Sequence, residues 1–162
     1  MARCVVLTCS DSRTLKTDAG GTYLAEALAA HGHQVLLRRI VADEVAPIRA
    51  LVLDAVESGE TDVLILAGGT GMAPRDVTPD AVEPLFTKHL PGYGEMLRQL
   101  TYAEFGPEAL LSRATAGVIA RTVVFLVPGA PRACQLAMDR LILPMLVPAS
   151  RLLKVRLPPL TS

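Results

Sequence analysis

Short runs of consecutive apolar residues alternate along this chain with longer stretches in which apolar positions recur every three or four residues. Arg3 to Cys9 (RCVVLTC), Gln34 to Val41 and Val63 to Leu66 are runs of the first kind. Such runs, rich in Val, Ile and Leu and closed by polar loops, predict strands, and the continuously apolar Val63 to Leu66 predicts one buried on both faces. Between them, Tyr23, Leu24, Ala27 and Leu28 share one face at helical spacing, and so do Val45, Ile48, Leu51, Val52, Ala55 and Val56. The first helix is expected to enter at Thr17 or Asp18, either able to cap it, and to run to about His31, where Gly32 follows. The second is expected to end near Ser58-Gly59.

The second half continues the alternation. Thr78-Pro79-Asp80 reads as a helix entrance, with Thr78 as N-cap and Pro79 at the first helical position. A helical stretch from about Gly92 to Phe105 carries Met96, Leu97 and Leu100 as core positions. Thr115 to Ala120 and Thr122 to Val127 are strands close enough to pair tightly, and a last helix from Arg132 to about Met145 precedes a tail rich in Pro and Leu. Strands alternating with helices imply the α/β class, as a three-layer α/β/α domain with a mostly parallel central sheet. The 162 residues suit one compact domain spanning 1–162, with no repeat, low-complexity run or linker.

Composition narrows the function classes. Sixteen basic and sixteen acidic residues cancel, which argues against a nucleic-acid partner, whose footprint is a basic excess or stripe. A local anion site survives that argument, because backbone N–H groups bind phosphate without Lys or Arg. Cys4, Cys9 and Cys134 form no C-x-x-C pair, so a disulfide framework or zinc site is not expected and the location is read as cytoplasmic. Cys9, at a strand end, is read as a buried structural residue ahead of a catalytic thiol, since no His partner is evident. His31, His33 and His89 have no ligand spacing, and Arg38-Arg39 reads as a solvated strand edge or an interface pair. The apolar run before Ser10 is too short for a signal peptide, and no run reaches the ~18 residues of a membrane span.

In open α/β sheets, ligands bind beyond the carboxyl ends of the strands. Four polar loops are predicted there: Ser10-Asp11-Ser12, Ala42-Asp43-Glu44, Gly68 to Asp76, and Pro128-Gly129-Ala130. Gly68-Gly69-Thr70-Gly71 stands out, because glycines let the backbone turn sharply and bring N–H groups close to phosphate oxygens. It lacks the Gly-Lys-[Ser/Thr] of a Walker A loop, and Pro74 stands where a dinucleotide fingerprint needs its third small residue. Taken alone, the loop fits an ordinary glycine-rich turn equally well. Asp80 in the first turn of its helix has a ready dipole role. Asp76 has none, and a carboxylate beside a phosphate loop could hold Mg²⁺. Asp43 either caps the second helix or faces the same crevice, and its local sequence favours the cap.

These residues resemble a known family. Gly68-Gly69-Thr70-Gly71 followed by Arg75-Asp76-Val77-Thr78-Pro79-Asp80-Ala81 looks like the signature of the MoaB/MogA family of molybdenum cofactor biosynthesis. Thr8-Cys9-Ser10-Asp11, Pro91-Gly92-Tyr93-Gly94-Glu95, Leu111-Ser112-Arg113-Ala114 and Pro128-Gly129-Ala130-Pro131 extend the likeness over nearly the whole chain, in family order. The resemblance implies an α/β/α fold assembled as a homotrimer or hexamer, without a membrane. It implies transfer of AMP from Mg-ATP to the terminal phosphate of molybdopterin, releasing pyrophosphate, with Mg²⁺ as cofactor and ATP as co-substrate. The family's two critical aspartates match Asp43 and Asp76, as catalytic and metal-holding groups. Substrate contacts match Gly68, Gly69, Thr70, Gly71, Ser112, Pro128 and Gly129, and further Ser10, Asp80 and Glu95. Other enzymes of the pathway are implied partners.

Ala67 stands where family members often carry Thr or Ser, removing one hydroxyl. The short length and the Pro128 to Pro148 stretch look closer to the MoaB branch, which implies a second reading as a non-catalytic molybdopterin-binding or scaffold protein. The intact Arg75 to Asp80 run favours the enzyme.

Overall fold

The computed structural model describes residues 1–154. Six strands form one sheet: β1 (Arg3–Cys9), β2 (Gln34–Val41), β3 (Val63–Ala67), β4 (Lys88–His89), β5 (Ala116–Ile119) and β6 (Thr122–Val127). Their order is β2-β1-β3-β6-β5-β4. The first four in that order are parallel, whereas β5 and β4 run antiparallel at the far edge. The sheet is therefore mostly parallel, as its apolar runs require. The exceptions are the β4–β5 and β5–β6 pairs, the latter joined through Ala120 and Arg121 with Ala120 at φ 51°.

The helices are α1 (Ala19–Ala30), α2 (Val45–Glu57), α3 (Thr78–Val82), α4 (Pro91–Phe105), α5 (Pro131–Ala137) and α6 (Leu143–Lys154). Successive strand residues point to opposite faces, and this alternation divides the core in two. Val6, Ile65 and Phe125 pack beneath Leu24 and Leu28 of α1, Leu97 of α4 and Cys134 of α5. Leu7, Leu64, Leu66 and Leu126 pack beneath Ile48 and Val52 of α2 and Ala81 of α3. Three layers result.

Several boundaries differ from the sequence expectation for identifiable reasons. Asp18 caps α1, its carboxylate accepting the Gly21 N–H at 2.9 Å. Thr78 caps nothing: it is already helical, and Val77 occupies the cap position without a side-chain bond. Met96 is about half exposed, while Leu97 is buried. The last helix does not stop near Met145. Pro144 has no N–H to donate, and the Leu143 N–H reaches back five residues to the Met138 carbonyl. The single π turn over Met138–Ile142 absorbs the mismatch, and the helix resumes as α6 to Lys154. The rest of the Pro- and Leu-rich tail lies outside the described residues. No described helix is long and apolar enough to cross a membrane.

Candidate functional site

From β1 the chain steps to β2 on one side and then to β3 on the other, so the order reverses at β1/β3. Ligands favour the crevice beyond the strand ends at such a switch. In register, Thr8 lies beside Ala67 and Ala67 beside Val127, so β1, β3 and β6 end level. The loops that follow them line one open cleft of about 500 Å³, including Ser10, Gly68 to Gly71, Asp76, Pro128 and Gly129. Ser112 joins them from the loop after α4.

Gly68 and Gly69 are glycines because the backbone demands it, at φ 101° and 65°. A Cβ on Gly68 would enter the Cys9 carbonyl, and one on Gly69 would strike the Thr78 hydroxyl. Two residues pin the loop from behind. The Thr78 hydroxyl donates to the Gly68 carbonyl at 2.8 Å, and its N–H donates to the Gly69 carbonyl at 3.0 Å. The Arg113 N–H donates to the Thr70 carbonyl at 2.7 Å, and its Nε donates to the Gly71 carbonyl at 2.8 Å. The same guanidinium also donates to the Asp76 carbonyl and grips both Asp80 oxygens at 3.0 and 3.1 Å. That pairing holds the Asp80 carboxyl below the usual carboxylate range.

Asp43 does not cap α2. Glu44 holds the cap position, with no side-chain bond. Instead Asp43 and Asp11 bond each other: Asp11 N–H to Asp43 Oδ2 at 3.1 Å, and Asp43 N–H to Asp11 Oδ1 at 3.0 Å. Asp43 Oδ1 is buried and has no hydrogen-bond partner among the described residues. Burial and, next, the Asp11 carboxylate push the Asp43 pKa up. Asp11 is held low, chiefly by its hydrogen bonds from Arg75. Asp76 accepts the Ala73 N–H at 2.9 Å through Oδ2 and borders the cleft beside Gly71.

The remaining expected site residues divide. The Ser10 hydroxyl accepts the Ser12 and Arg13 N–H groups, and the Ser112 hydroxyl accepts the Ala114 N–H. Asp80 stands behind the loop through Arg113 and is not part of the cleft lining, and Glu95 is exposed on α4 away from that lining. Cys9 lines the cleft, but burial pushes its thiol up to about 12, so it is no thiolate at neutral pH. Arg38, on the edge strand β2, is not simply solvated. It reaches the buried Asp18 carboxylate at 3.2 Å.

Sequence reasoning missed Arg13 and Arg113. Arg13 lines the cleft and donates to the Gly129 carbonyl at 2.8 Å, tying the loops after β1 and β6 together. The one signal for Arg113 was its place inside the Leu111-Ser112-Arg113-Ala114 segment.

Comparison with known proteins agrees with this fold. Residues 5–147 match the family described as a probable molybdopterin binding domain. Over 145 residues the chain is 47% identical to molybdenum cofactor biosynthesis protein B of Bacillus subtilis, covering 89% of this chain and 85% of that protein. A crystal structure of a molybdenum cofactor biosynthesis protein B superposes with a TM-score of 0.90 at 43% identity, covering 94% of this chain and 95% of the other. MogA superposes with a TM-score of 0.86 at 28% identity, covering 93% and 99%. With fold and sequence in agreement, the chain belongs to the MoaB/MogA family of molybdenum cofactor biosynthesis proteins.

Proposed function

We propose that this protein binds molybdopterin in the strand-end cleft and adenylylates its terminal phosphate with Mg-ATP. The observation that carries the reading is the glycine loop. Among the described residues, the N–H groups of Gly69, Thr70 and Gly71 make no hydrogen bond within the chain, in a cleft that these residues line. Consecutive free N–H groups are an anion site.

The chain's residues also fit the metal. A buried, unpartnered carboxylate oxygen on Asp43 lies beside Gly69, where a Cβ would come within 3.1 Å of it. Mg²⁺ takes one or two carboxylates plus substrate phosphates, so Asp43 and Asp76 would hold it. Bound there, Mg²⁺ supplies neutralisation of charge on the α-phosphate and the leaving pyrophosphate. In the reaction a pterin phosphate oxygen bonds to the α-phosphorus of ATP. The bond from that phosphorus to the bridging oxygen breaks, and pyrophosphate leaves with the electron pair. The glycine loop holds phosphate oxygens, Arg13 adds positive charge at the cleft wall, and Ser10 and Ser112 offer hydroxyls. Positioning of this kind accounts for most of the catalysis in phosphoryl-type displacements.

A second reading, a pterin binder without turnover, is favoured by one observation. Ala67, the last residue of β3 before the glycine loop, brings no hydroxyl at the position where family members often carry Thr or Ser. The experiment is Mg²⁺-dependent pyrophosphate release from ATP with molybdopterin present. Release supports the enzyme, and tight pterin binding without release decides for the binder. We further propose self-association as a trimer or hexamer, supported by exposed Tyr102, Phe105, Leu110 and Leu111, all within residues 102–111. Sedimentation showing a monomer at micromolar concentration would remove that proposal.

A further inference from the structure

The geometry points to Thr78 and Arg113 as positioning residues that aim the glycine loop at a phosphate group. This inference rests on the proposed pterin and nucleotide chemistry of the cleft. It begins with the carbonyls. Those of Gly68 and Gly69 are held by Thr78, through hydroxyl and N–H respectively, and those of Thr70 and Gly71 by Arg113, through N–H and Nε. In a planar trans peptide the N–H points opposite to the carbonyl of the same unit. The Gly68, Gly69 and Thr70 carbonyls share their peptide units with the Gly69, Thr70 and Gly71 N–H groups. Pinning three carbonyls on one side therefore turns three consecutive N–H groups to the other.

Those three are the groups left without an intrachain partner, in residues that line the cleft. Neither pinning side chain belongs to the cleft lining. Thr78 is fully buried, and the Arg113 guanidinium is spent on two loop carbonyls and the Asp80 carboxylate. Arg113 therefore acts through the loop rather than as a cationic ligand. Asp80 holds Arg113 in place, which accounts for its pairing away from the cleft. The group received is a phosphate oxyanion, carried by the pterin or by the nucleotide.

The test compares ligands that differ only in phosphate. Molybdopterin and its phosphatase-treated form make one pair, and ATP and adenosine the other, each titrated calorimetrically into wild type, Thr78→Val, Thr78→Ser, Arg113→Met and Arg113→Lys. Hydrogen bonds to a charged group are worth about 1.5–3 kcal/mol each, so wild type should prefer the phosphorylated member of one pair by about tenfold or more. Thr78→Val frees the Gly68 carbonyl and Arg113→Met frees the Gly71 carbonyl, while the backbone bonds to the Gly69 and Thr70 carbonyls remain, so each should lower that ratio severalfold while the phosphate-free ligand binds as before. Thr78→Ser should restore the ratio by keeping the hydroxyl, and Arg113→Lys should restore it in part. The pair whose ratio falls identifies the source of the phosphate. A merely structural role would weaken both members equally, so an unchanged ratio in the folded Ser, Lys, Val and Met variants overturns the assignment. That result leaves pterin binding itself standing. Wild type that binds neither pterin nor nucleotide overturns the inference together with the proposed function.

Discussion

Asp11 and Asp43 hold each other through their backbones, each carboxylate accepting the other's N–H. The two acids are nonetheless unequal. Arg75 closes on Asp11 at 2.7 Å on the exposed side, while Asp43 keeps one buried oxygen with no partner. The exchange locks the loop after β1 to the loop after β2 and leaves one acceptor for a ligand to complete.

Stability should therefore improve when Asp43 loses its charge. Its pKa is raised in the fold, so its favourable contribution is present at acid pH and is lost as pH rises through the raised value. At neutral pH the ionised group destabilises the apo protein. Asp43→Asn, which keeps an oxygen for the Asp11 N–H, should melt higher than wild type at neutral pH, with the difference closing on acidification. Activity should fall in the same variant, the trade expected of a functional carboxylate. Thermal melts across about pH 3 to 7 check the sign, and a difference that widens toward acid contradicts it.

The loop glycines should separate into two classes. Gly68→Ala places a Cβ in the Cys9 carbonyl at a positive φ, and Gly69→Ala does so against Thr78. A left-handed residue with a Cβ costs roughly 1–2 kcal/mol before any clash, so both variants should lose stability. Gly71 has an ordinary φ, and a Cβ there first meets the Asp76 carboxylate, at 2.7 Å. Gly71→Ala should keep the wild-type melting temperature within a few degrees and lose turnover by displacing Asp76. Equal melting losses in all three variants would remove the distinction.

These contrasts mark where sequence stops being informative. The strands were legible because apolar runs such as Val63 to Leu66 have no other stable home than a buried sheet. The loops at their carboxyl ends were legible too, because topology places them together. The job of each side chain was not. Local rules made Thr78 a cap and Asp43 a capping candidate, since both stand at helix entrances. Each instead serves a partner distant in sequence, Thr78 at Gly68 and Asp43 at Asp11. Arg113 was unreadable for the same reason, its guanidinium's partners lying 33 to 42 positions upstream.

Arg38 supplies a stability prediction of the same long-range kind. Asp18 is buried and accepts from Thr8 at 2.7 Å, Gly21 at 2.9 Å and Arg38 at 3.2 Å. Burial works to raise its pKa, but the bonds from Thr8, Gly21 and Arg38 outweigh it and the net shift is downward. Breaking a buried pair costs roughly 3–5 kcal/mol. Arg38 is partly exposed and Asp18 keeps its other donors, so Arg38→Met should cost about 2–3 kcal/mol. A lowered carboxyl stabilises above its unfolded pKa and loses that contribution on acidification. The gap between wild type and Arg38→Met in urea unfolding should therefore be largest near neutral pH and shrink below about pH 4.

Asp76→Asn should nearly abolish adenylyl transfer while leaving molybdopterin affinity and folding in place. Asp76 borders the cleft beside Gly71, and among the described residues its side chain makes one hydrogen bond, Oδ2 accepting the Ala73 N–H. An Asn oxygen can still accept that bond, so the turn over Ala73 to Asp76 survives and only the charge is removed. The loss falls on the step in which negative charge builds on the leaving pyrophosphate. Removing a comparable electrostatic contact slows an enzyme by about 10²–10³. In the proposed function pterin binding would draw on the glycine-loop N–H groups and on the loops after β1 and β6, which the substitution leaves in place. Single-turnover pyrophosphate release should therefore drop by about a hundredfold or more, while the pterin dissociation constant and the melting temperature stay near wild type. Near-normal release at saturating Mg²⁺ would remove Asp76 from the reacting centre. A parallel loss of pterin affinity would make it a binding residue instead.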